Sequence, residues 1–242
     1  MSTATYTRFE LLRAARNIRF FAITLAFPLL LFLLVATPNR HEELGGIPFP
    51  VYYMSGMVAW GTMGAVIGSG ARIAAERQLG WNRQLRVTPL TARSYLRAKV
   101  ATGYSVALVS IAGLYTAGAA VGVRLPAGRW ISMTVMILIG LIPFAVIGIW
   151  MGHVISADSI GPAIGGATSL LALLGGAYGP VASGGFLLQL TQLLPSYWLV
   201  QAGHIAVNGG PWPAKAWAVL IVWTAVFTRL AARAWRRDTQ RD

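Results

Sequence analysis

Long apolar runs separated by short basic stretches are the feature that most restricts how this chain can fold. Six runs are each roughly twenty residues long, the length a helix needs to cross a hydrocarbon core of about 30 Å. A backbone in lipid must satisfy its own hydrogen bonds, so such runs fold as helices. The sequence therefore predicts an all-α integral membrane protein. The predicted spans are Phe20–Ala36, Val51–Ile73, Leu96–Val121, Trp130–Ile155, Ile160–Val181 and Ala214–Trp235.

The distribution of charge predicts how the chain is oriented. Only 11% of the residues are charged and 56% are hydrophobic, whereas soluble domains carry about 25% charged residues. The net charge of +13 comes from arginines at span ends, where they face anionic lipid headgroups, so we exclude nucleic acid as a partner and expect membrane lipids. Sixteen of the twenty cationic residues fall on the side that holds both termini. The positive-inside rule then predicts one transmembrane domain, residues 1–242, in the inner (plasma) membrane with both termini cytoplasmic.

A basic stretch between the second and third spans, Arg72–Lys99, carries seven cations and the single acid Glu76. Each cation would cost roughly 2.5–3.5 kcal/mol in hydrocarbon, so the stretch must lie in water. Gln78–Val87 contains no proline and is predicted to form a short cytoplasmic coupling helix, which Pro89 ends. Thr91 is the predicted N-cap of the next span. Such a helix between two spans can transmit a movement of a soluble partner to the membrane-spanning helices.

The N-terminal segment is predicted to form an amphipathic helix that lies on the inner leaflet, because its apolar residues share one helical face. That face consists of Leu11, Ala14, Ala15 and Ile18.

The segment Ala182–Gly210 is apolar but too interrupted to cross the membrane, because Pro195 divides it into short pieces. We predict short re-entrant helices here, between spans five and six. Pro28 and Pro143 are predicted to kink spans one and four. In the turn Ser156–Ser159, Asp158 is a predicted cap of span five, a role compatible with contacting a cytoplasmic partner.

The chain offers no source of chemical energy of its own. It has no G-x-x-x-x-G-K-[ST] loop, no pair of carboxylates for acid–base work and no cluster of metal-ligand residues. An intramembrane enzyme is the alternative of a different class, but His153 and Asp158 have no evident nucleophile beside them. We therefore predict a transport subunit without a catalytic residue, metal or cofactor, driven by a partner at the basic stretch.

The loop Glu76–Leu90 resembles the signature loop of ABC-2 type transporter permeases. It has the initial acid Glu76, then Gly80, Leu85 and a closing Thr88-Pro89-Leu90. Asn82-Arg83 is similar to the acid-Arg step of the daunorubicin-resistance-like drug-export branch, with Asn in place of the acid. Trp81 stands where that family commonly has a small hydroxyl residue. The likeness extends over nearly the whole chain, from the basic N-terminus to the basic tail.

This resemblance implies a permease that pairs with a second copy of itself and with two copies of an ABC ATPase, which holds the ATP and Mg. The implied cargo is an amphiphilic or hydrophobic small molecule, such as a drug or lipid, moved out of the cytoplasm or inner leaflet. The implied ATPase-coupling residues are Glu76, Arg77, Gly80, Trp81, Arg83, Leu85, Arg86, Pro89 and Asp158. The implied dimer path has Gly64, Gly68, Gly165 and Gly176, and the implied outer gate has Gln189, Pro195, Tyr197 and Trp198.

A lipid-linked polysaccharide is the alternative cargo. Permeases for such cargo often have aromatic-lined channels, although aromatic belts at the membrane interfaces explain the same residues. The aromatic residues in question are Tyr52, Tyr53, Trp60, Tyr197 and Trp198.

Overall fold

The computed structural model describes residues 3–16, 22–80, 91–180, 184–208 and 210–241. These ranges are almost entirely helical. The elements are α1 (Thr3–Ala15), a π-helical turn (Ala22–Ala26), α2 (Phe27–Ala36), β1 (Glu43–Leu44), β2 (Ile47–Pro48), α3 (Phe49–Ala71), α4 (Ile73–Gln78), α5 (Ala92–Val121), α6 (Ala127–Gly140), α7 (Ile142–Val154), α8 (Ala157–Gly175), α9 (Gly185–Thr191), α10 (Pro195–Asn208) and α11 (Ala214–Arg241).

Helix α3 is the centre of the fold, since nearly all of its residues are buried. It contacts α2, α5, α7, α8 and α10, while α11 packs on α7 and α1 packs on α5. Small residues allow this crowding. A Cβ on Gly70 would lie 2.6 Å from the backbone nitrogen of Ile149 and 2.7 Å from the carbonyl carbon of Gly148. The backbones of α3 and α7 therefore touch, which only glycine permits at this position.

Four helical stretches of the described chain are both long and apolar enough to cross a membrane. They are Ala92–Val121, Ala127–Val154, Ala157–Gly175 and Ala214–Asp238. The chain is thus a multi-pass membrane protein by helix length and composition. The described part of predicted span one is a shorter apolar helix, Thr24–Ala36. Predicted span two is α3, whose 23 residues reach about 34 Å but include many glycines, serines and tyrosines. The count of six spans stays a prediction.

Both prolines predicted to kink a span lie at a change of helix geometry. Pro143 stands in the first turn of α7, directly after the break at Leu141 that separates α6 from α7. Pro28 stands in the first turn of α2, where the π-helical turn gives way to an α-helix. A proline lacks the N–H group that a continuous helix needs, so each site starts a new helix.

The buried face of the N-terminal helix α1 overlaps the predicted one at Ala14. Tyr6, Glu10 and Ala14, spaced four residues apart, are buried, and Leu11 is partly covered. Ile18 and the side chain of Ala15 lie outside what the structure describes. Glu10 is buried through its partners, which hydrophobicity alone does not predict. Tyr6 belongs to a second, smaller core formed by α1, α4, α5, α7 and α11. The location of α1 on the membrane surface stays a prediction.

The predicted outer loop after span one contains a small hairpin. Glu43–Leu44 pairs antiparallel with Ile47–Pro48. Gly45 and Gly46 connect the two strands with φ of 61° and 75°, a left-handed conformation that glycine adopts without a steric penalty.

Candidate functional site

The basic stretch begins at a break between two helices, directly after α3. Helix α3 ends at Ala71, Arg72 joins the two helices, and α4 ends at Gln78. Gly80 then adopts φ of 68°. The coupling helix predicted for Gln78–Val87 therefore does not begin at Gln78, and its remainder lies outside the described residues. The predicted N-cap beyond it is confirmed, since the Thr91 side chain accepts a hydrogen bond from the Ser94 N–H at 3.2 Å.

Glu76 of α4 lies in a buried group of charges, which we name the Lys99 cluster (Glu10, Glu76, Lys99, Tyr6 and Tyr95). Glu76 is 2% exposed and Lys99 is 1% exposed. The Lys99 ammonium donates to Glu76 and, at 3.0 Å, to Glu10. The Tyr95 hydroxyl donates to the other oxygen of Glu76, and the Tyr6 hydroxyl donates to Glu10 at 3.3 Å. One ammonium thus serves two carboxylates contributed by α1 and α4.

Two arginines border the Lys99 cluster. Arg13 places its Nη1 3.3 Å from Glu76 Oε1 and 3.9 Å from Glu10, while more than half of its side chain remains exposed. Arg72, beyond the end of α3, is partly buried, and its charge interacts with those of Glu10, Arg13 and Glu76. Buried charges are tolerated only when they are paired and hydrogen-bonded, and the Lys99 cluster meets that condition.

Arg77 belongs to a second group, which we name the Asp238 cluster (Arg77, His153 and Asp238). The Arg77 guanidinium contacts Asp238 at 2.8 Å and donates to the carbonyls of His153 at 2.6 Å and Gly152 at 3.3 Å. His153 Nδ1 lies 2.7 Å from the second Asp238 oxygen, and Trp235 packs edge-on against the imidazole. Arg77 therefore covers the end of α7 and fastens the end of α11 to it.

Consecutive residues of α4 thus contact two different pairs of helices. Glu76 connects α4 to α1 and α5 through the Lys99 cluster, and Arg77 connects it to α7 and α11 through the Asp238 cluster. A displacement of α4 must therefore move these four helices or break the ion pairs of the two clusters. Helix α4, which carries the predicted coupling residues Glu76 and Arg77, is thus attached to the bundle at two places.

A lateral groove of about 810 Å³ lies between the π-helical turn with α2, the second half of α3, and the first half of α8. Its walls are mostly apolar. Three of the four glycines assigned to the dimer path, Gly64, Gly68 and Gly165, line this groove. The fourth, Gly176, instead ends α8 with φ of 82°. A Cβ added at Gly165 would have nothing within 4 Å of it, so a side of α8 is uncovered within one chain.

The residues assigned to the outer gate surround the turn between α9 and α10. Gln189 is exposed on α9, while Pro195 and Trp198 are buried at the start of α10 and Tyr197 packs edge-on against Trp198. The Trp198 indole donates to the Gln192 carbonyl at 2.8 Å. From α11, Lys215 and Trp223 donate to Gln192 and Leu193 at 2.7 and 2.9 Å, so this turn is held from two helices.

Five residues assigned to ATPase coupling lie outside the described residues. They are Trp81, Arg83, Leu85, Arg86 and Pro89. Asp158 is exposed in the first turn of α8. Ser156 is the N-cap position of that helix, so the prediction that Asp158 caps it was wrong by two residues. An acid in the first turn still interacts favourably with the helix dipole.

The aromatic residues considered for a polysaccharide channel are engaged in packing. Tyr52 stacks on His204 with ring centres 4.2 Å apart, and Tyr53 is buried against Phe49. Trp60 packs edge-on against Tyr178 and also lines the groove.

Sequence reasoning did not predict that Lys99, at the end of the basic stretch, is buried, nor that Glu10 and Asp238 contact residues of this stretch. A signal existed for Lys99. The buried positions of α5 include Tyr95, Lys99, Thr102 and Val106, a three-to-four-residue spacing that places the lysine on the inward face. No such signal identified Asp238, which follows Arg77 by 161 positions in the chain. Within the described ranges, no group of His, Asp and Glu is arranged to hold a metal ion.

The comparison with known proteins agrees with a transport role. No family model matches the chain. The chain is 26% identical over 225 residues to YvfS of Bacillus subtilis (strain 168), whose name describes a transport permease, and the match covers 92% of each protein. This similarity over almost the full length supports a transport permease rather than an enzyme.

Proposed function

We propose that this chain is the permease subunit of an ATP-driven exporter that moves an amphiphilic or hydrophobic small molecule out of the cytoplasm or inner leaflet. A separate ABC ATPase docks at the segment 72–90, and two permease copies form the path. The similarity to a transport permease supports the general role. The resemblance of Glu76–Leu90 to the ABC-2 signature loop supports the energy source, since the sequence contains no ATP-binding loop of its own.

The observation that carries this proposal is the double attachment of α4. A coupling segment must transmit a movement of the ATPase to the helix bundle, and a loosely attached loop would not transmit it. Glu76 and Arg77 fix α4 to four helices through the Lys99 and Asp238 clusters. These two residues then act by positioning the loop, while the exposed positions that follow contact the ATPase.

The uncovered face of α8 supports the pairing of two copies. Gly161, Gly165 and Gly166 have open space around a Cβ, and thin glycine faces allow close approach between membrane helices. A second copy placed against this face would put the two grooves on either side of one path.

The test uses the full chain reconstituted in liposomes with an ABC ATPase that co-purifies with it. We expect ATP-dependent movement of a fluorescent amphiphile, which stops when the ATPase lacks its P-loop lysine. Arg77→Ala should keep the complex but lower transport by about tenfold or more, because α4 loses its attachment to α7 and α11. Arg93→Ala, at an exposed position of α5, is the control and should transport normally. Equal transport without any ATPase would refute the proposal.

The orientation has an independent test, because the chain has no cysteine. Single cysteines are placed at the exposed positions Gln78 and Glu43. In intact cells, a membrane-impermeant maleimide should label Glu43→Cys but label Gln78→Cys only after permeabilisation. Labelling of Gln78→Cys in intact cells would place the basic stretch outside and remove the ATPase from the scheme.

A further inference from the structure

We infer that the α6–α7 span (Ala127–Val154) is hinged at Leu141, so that α7, the half next to α4, swings with α4 while α6 stays in place. This inference rests on the proposed function, in which the ATPase moves α4. It adds the device by which that movement bends the bundle instead of shifting a whole span.

The sequence places a weak point in the middle of the α6–α7 span. Pro143 has no N–H group, so it cannot donate to the carbonyl of Ile139 four residues earlier, and the helix is interrupted at Leu141. The preceding residue is Gly140, and glycine is among the poorest helix formers. Sharp bends in helices are almost always located at such residues. The break divides the span into helices of 14 and 13 residues.

The half that is remote from α4 is held by α5 and α10. Helix α6 packs along α10. From α5, the Tyr104 hydroxyl donates to the Leu138 carbonyl at 3.0 Å, and the Tyr115 ring packs on Trp130 with ring centres 4.4 Å apart. These contacts with α5 fall in the last and the first turn of α6, so the whole helix is fixed to its neighbours.

The half next to α4 is held by different helices. A Cβ on Gly148 would lie 2.5 Å from the Ile67 carbonyl oxygen, and one on Gly152 would lie 2.8 Å from that of Gly70, so the backbones of α7 and α3 are in contact. Helix α7 also packs along α11. Arg77 of α4 donates to two carbonyls in the last turn of α7. A displacement of α4 is therefore passed to α7 and not directly to α6.

Helix α3 has weak positions between its attachments to these two halves. Ile67 and Gly70 attach its inner end to α7, while its outer end is attached to α10, where Ser55 leaves no room for a Cβ on Gly203. Gly61 and Gly64 lie between these attachments and line the lateral groove. When α7 swings, α3 bends at these glycines, and the width of the groove changes.

The experiment measures two distances between α5 and the α6–α7 span, by pulsed electron paramagnetic resonance on the full chain in lipid nanodiscs. The chain has no cysteine, so nitroxide labels are placed in pairs at exposed positions. The inner pair is Arg97→Cys with Val154→Cys, and the outer pair is Ala120→Cys with Ile131→Cys. Helix α5 is unbroken between positions 97 and 120, so it is the common reference.

We expect the inner pair to shift and the outer pair to keep its distance when the co-purifying ATPase binds a non-hydrolysable ATP analogue. Val154 is 13 residues, or about 20 Å, beyond Leu141, so a bend of about 20° displaces it by about 7 Å. In the chain without ATPase, the inner pair should already have the broader distance distribution, because the hinge belongs to the permease itself.

Replacing the proline tests the hinge directly. Pro143→Ala restores the missing N–H group and should make the span one continuous helix. It should lower the inner shift by roughly half or more, narrow the distribution of the inner pair in the chain alone, and lower ATP-dependent transport. Pro126→Ala is the matched control, because this exposed proline directly precedes the same span and its loss adds no hydrogen bond inside the helix.

A second variant tests the attachment of the outer half. Tyr104→Phe removes the hydrogen bond from α5 to the last turn of α6 and should broaden the distribution of the outer pair. The inner pair should keep its distribution, because α7 is held by other helices.

Two results would overturn the inference. One is an equal shift and equal width for the two pairs, which would mean that the span moves as one rigid helix. The other is wild-type behaviour of Pro143→Ala in both distance measurements. If the chain alone shows the expected widths but the ATP analogue shifts neither pair, the hinge stands and the ATP-driven mechanism fails, so the two failures are distinguishable.

Discussion

Replacing Lys99 by Met tests whether the Lys99 cluster holds the cytoplasmic end of the bundle together. Lys99 is 1% exposed, and its ammonium is the shared partner of Glu10 and Glu76, both almost fully buried. Breaking a buried ion pair by removing one partner costs about 3–5 kcal/mol, because the remaining charge stays buried. Tyr95 and Arg13 still contact Glu76, so we expect a loss near the lower end, about 3 kcal/mol, in the free energy of unfolding.

The chain supplies its own control, since Lys99 and Lys215 are its two lysines. Lys215 is exposed and donates one hydrogen bond to the Gln192 side chain, so Lys215→Met should cost about 1 kcal/mol or less. Both variants are unfolded by SDS titration in mixed micelles and followed by tryptophan fluorescence. Adding Glu10→Gln to Lys99→Met should restore part of the lost stability, because Glu10 then carries no buried charge while Glu76 keeps Arg13 and Tyr95 as partners. Equal losses for the two lysine variants would refute the cluster as a structural unit.

Three further variants test the close packing of α3, the Asp238 cluster and the left-handed turn at Gly80. Gly70→Ala should destabilise the chain by about 1–3 kcal/mol in the same titration, because its Cβ would lie 2.6 Å from backbone of α7, whereas Gly128→Ala has open space and should be neutral. Asp238→Asn removes the ion pair with Arg77 and should cost about 1 kcal/mol, seen as faster proteolysis of the end of α11. Gly80→Ala should lower the free energy of unfolding by about 1–2 kcal/mol, because φ of 68° is unfavourable for alanine. Melting curves of the wild type and this variant would measure the loss. An unchanged melting curve would contradict the left-handed turn.

The elements that sequence reasoning predicted well are those set by local chemistry. Pro143 lacks an amide hydrogen, so a break near it follows from the residue alone, and the structure has it at Leu141. The Thr91 cap is similarly local. The burial of Glu10 on α1 was not predicted, because hydrophobicity excludes a carboxylate from an interior where its partner Lys99 is 89 residues away.

The amino-acid sequence by itself predicted a helical membrane protein, because the transfer energies of apolar side chains depend on composition and run length. The prediction that the basic stretch lies in water does not hold for Glu76 and Lys99, which are 2% and 1% exposed. The sequence also identified Glu76 and Arg77 as notable residues. Only the tertiary structure decided what they contact. Glu76 points into the Lys99 cluster and Arg77 into the Asp238 cluster, and the groove exists because glycines of α3 and α8, about 100 positions apart, face each other across it. Such pairings depend on how helices pack, and sequence periodicity carries no information about which helix lies opposite.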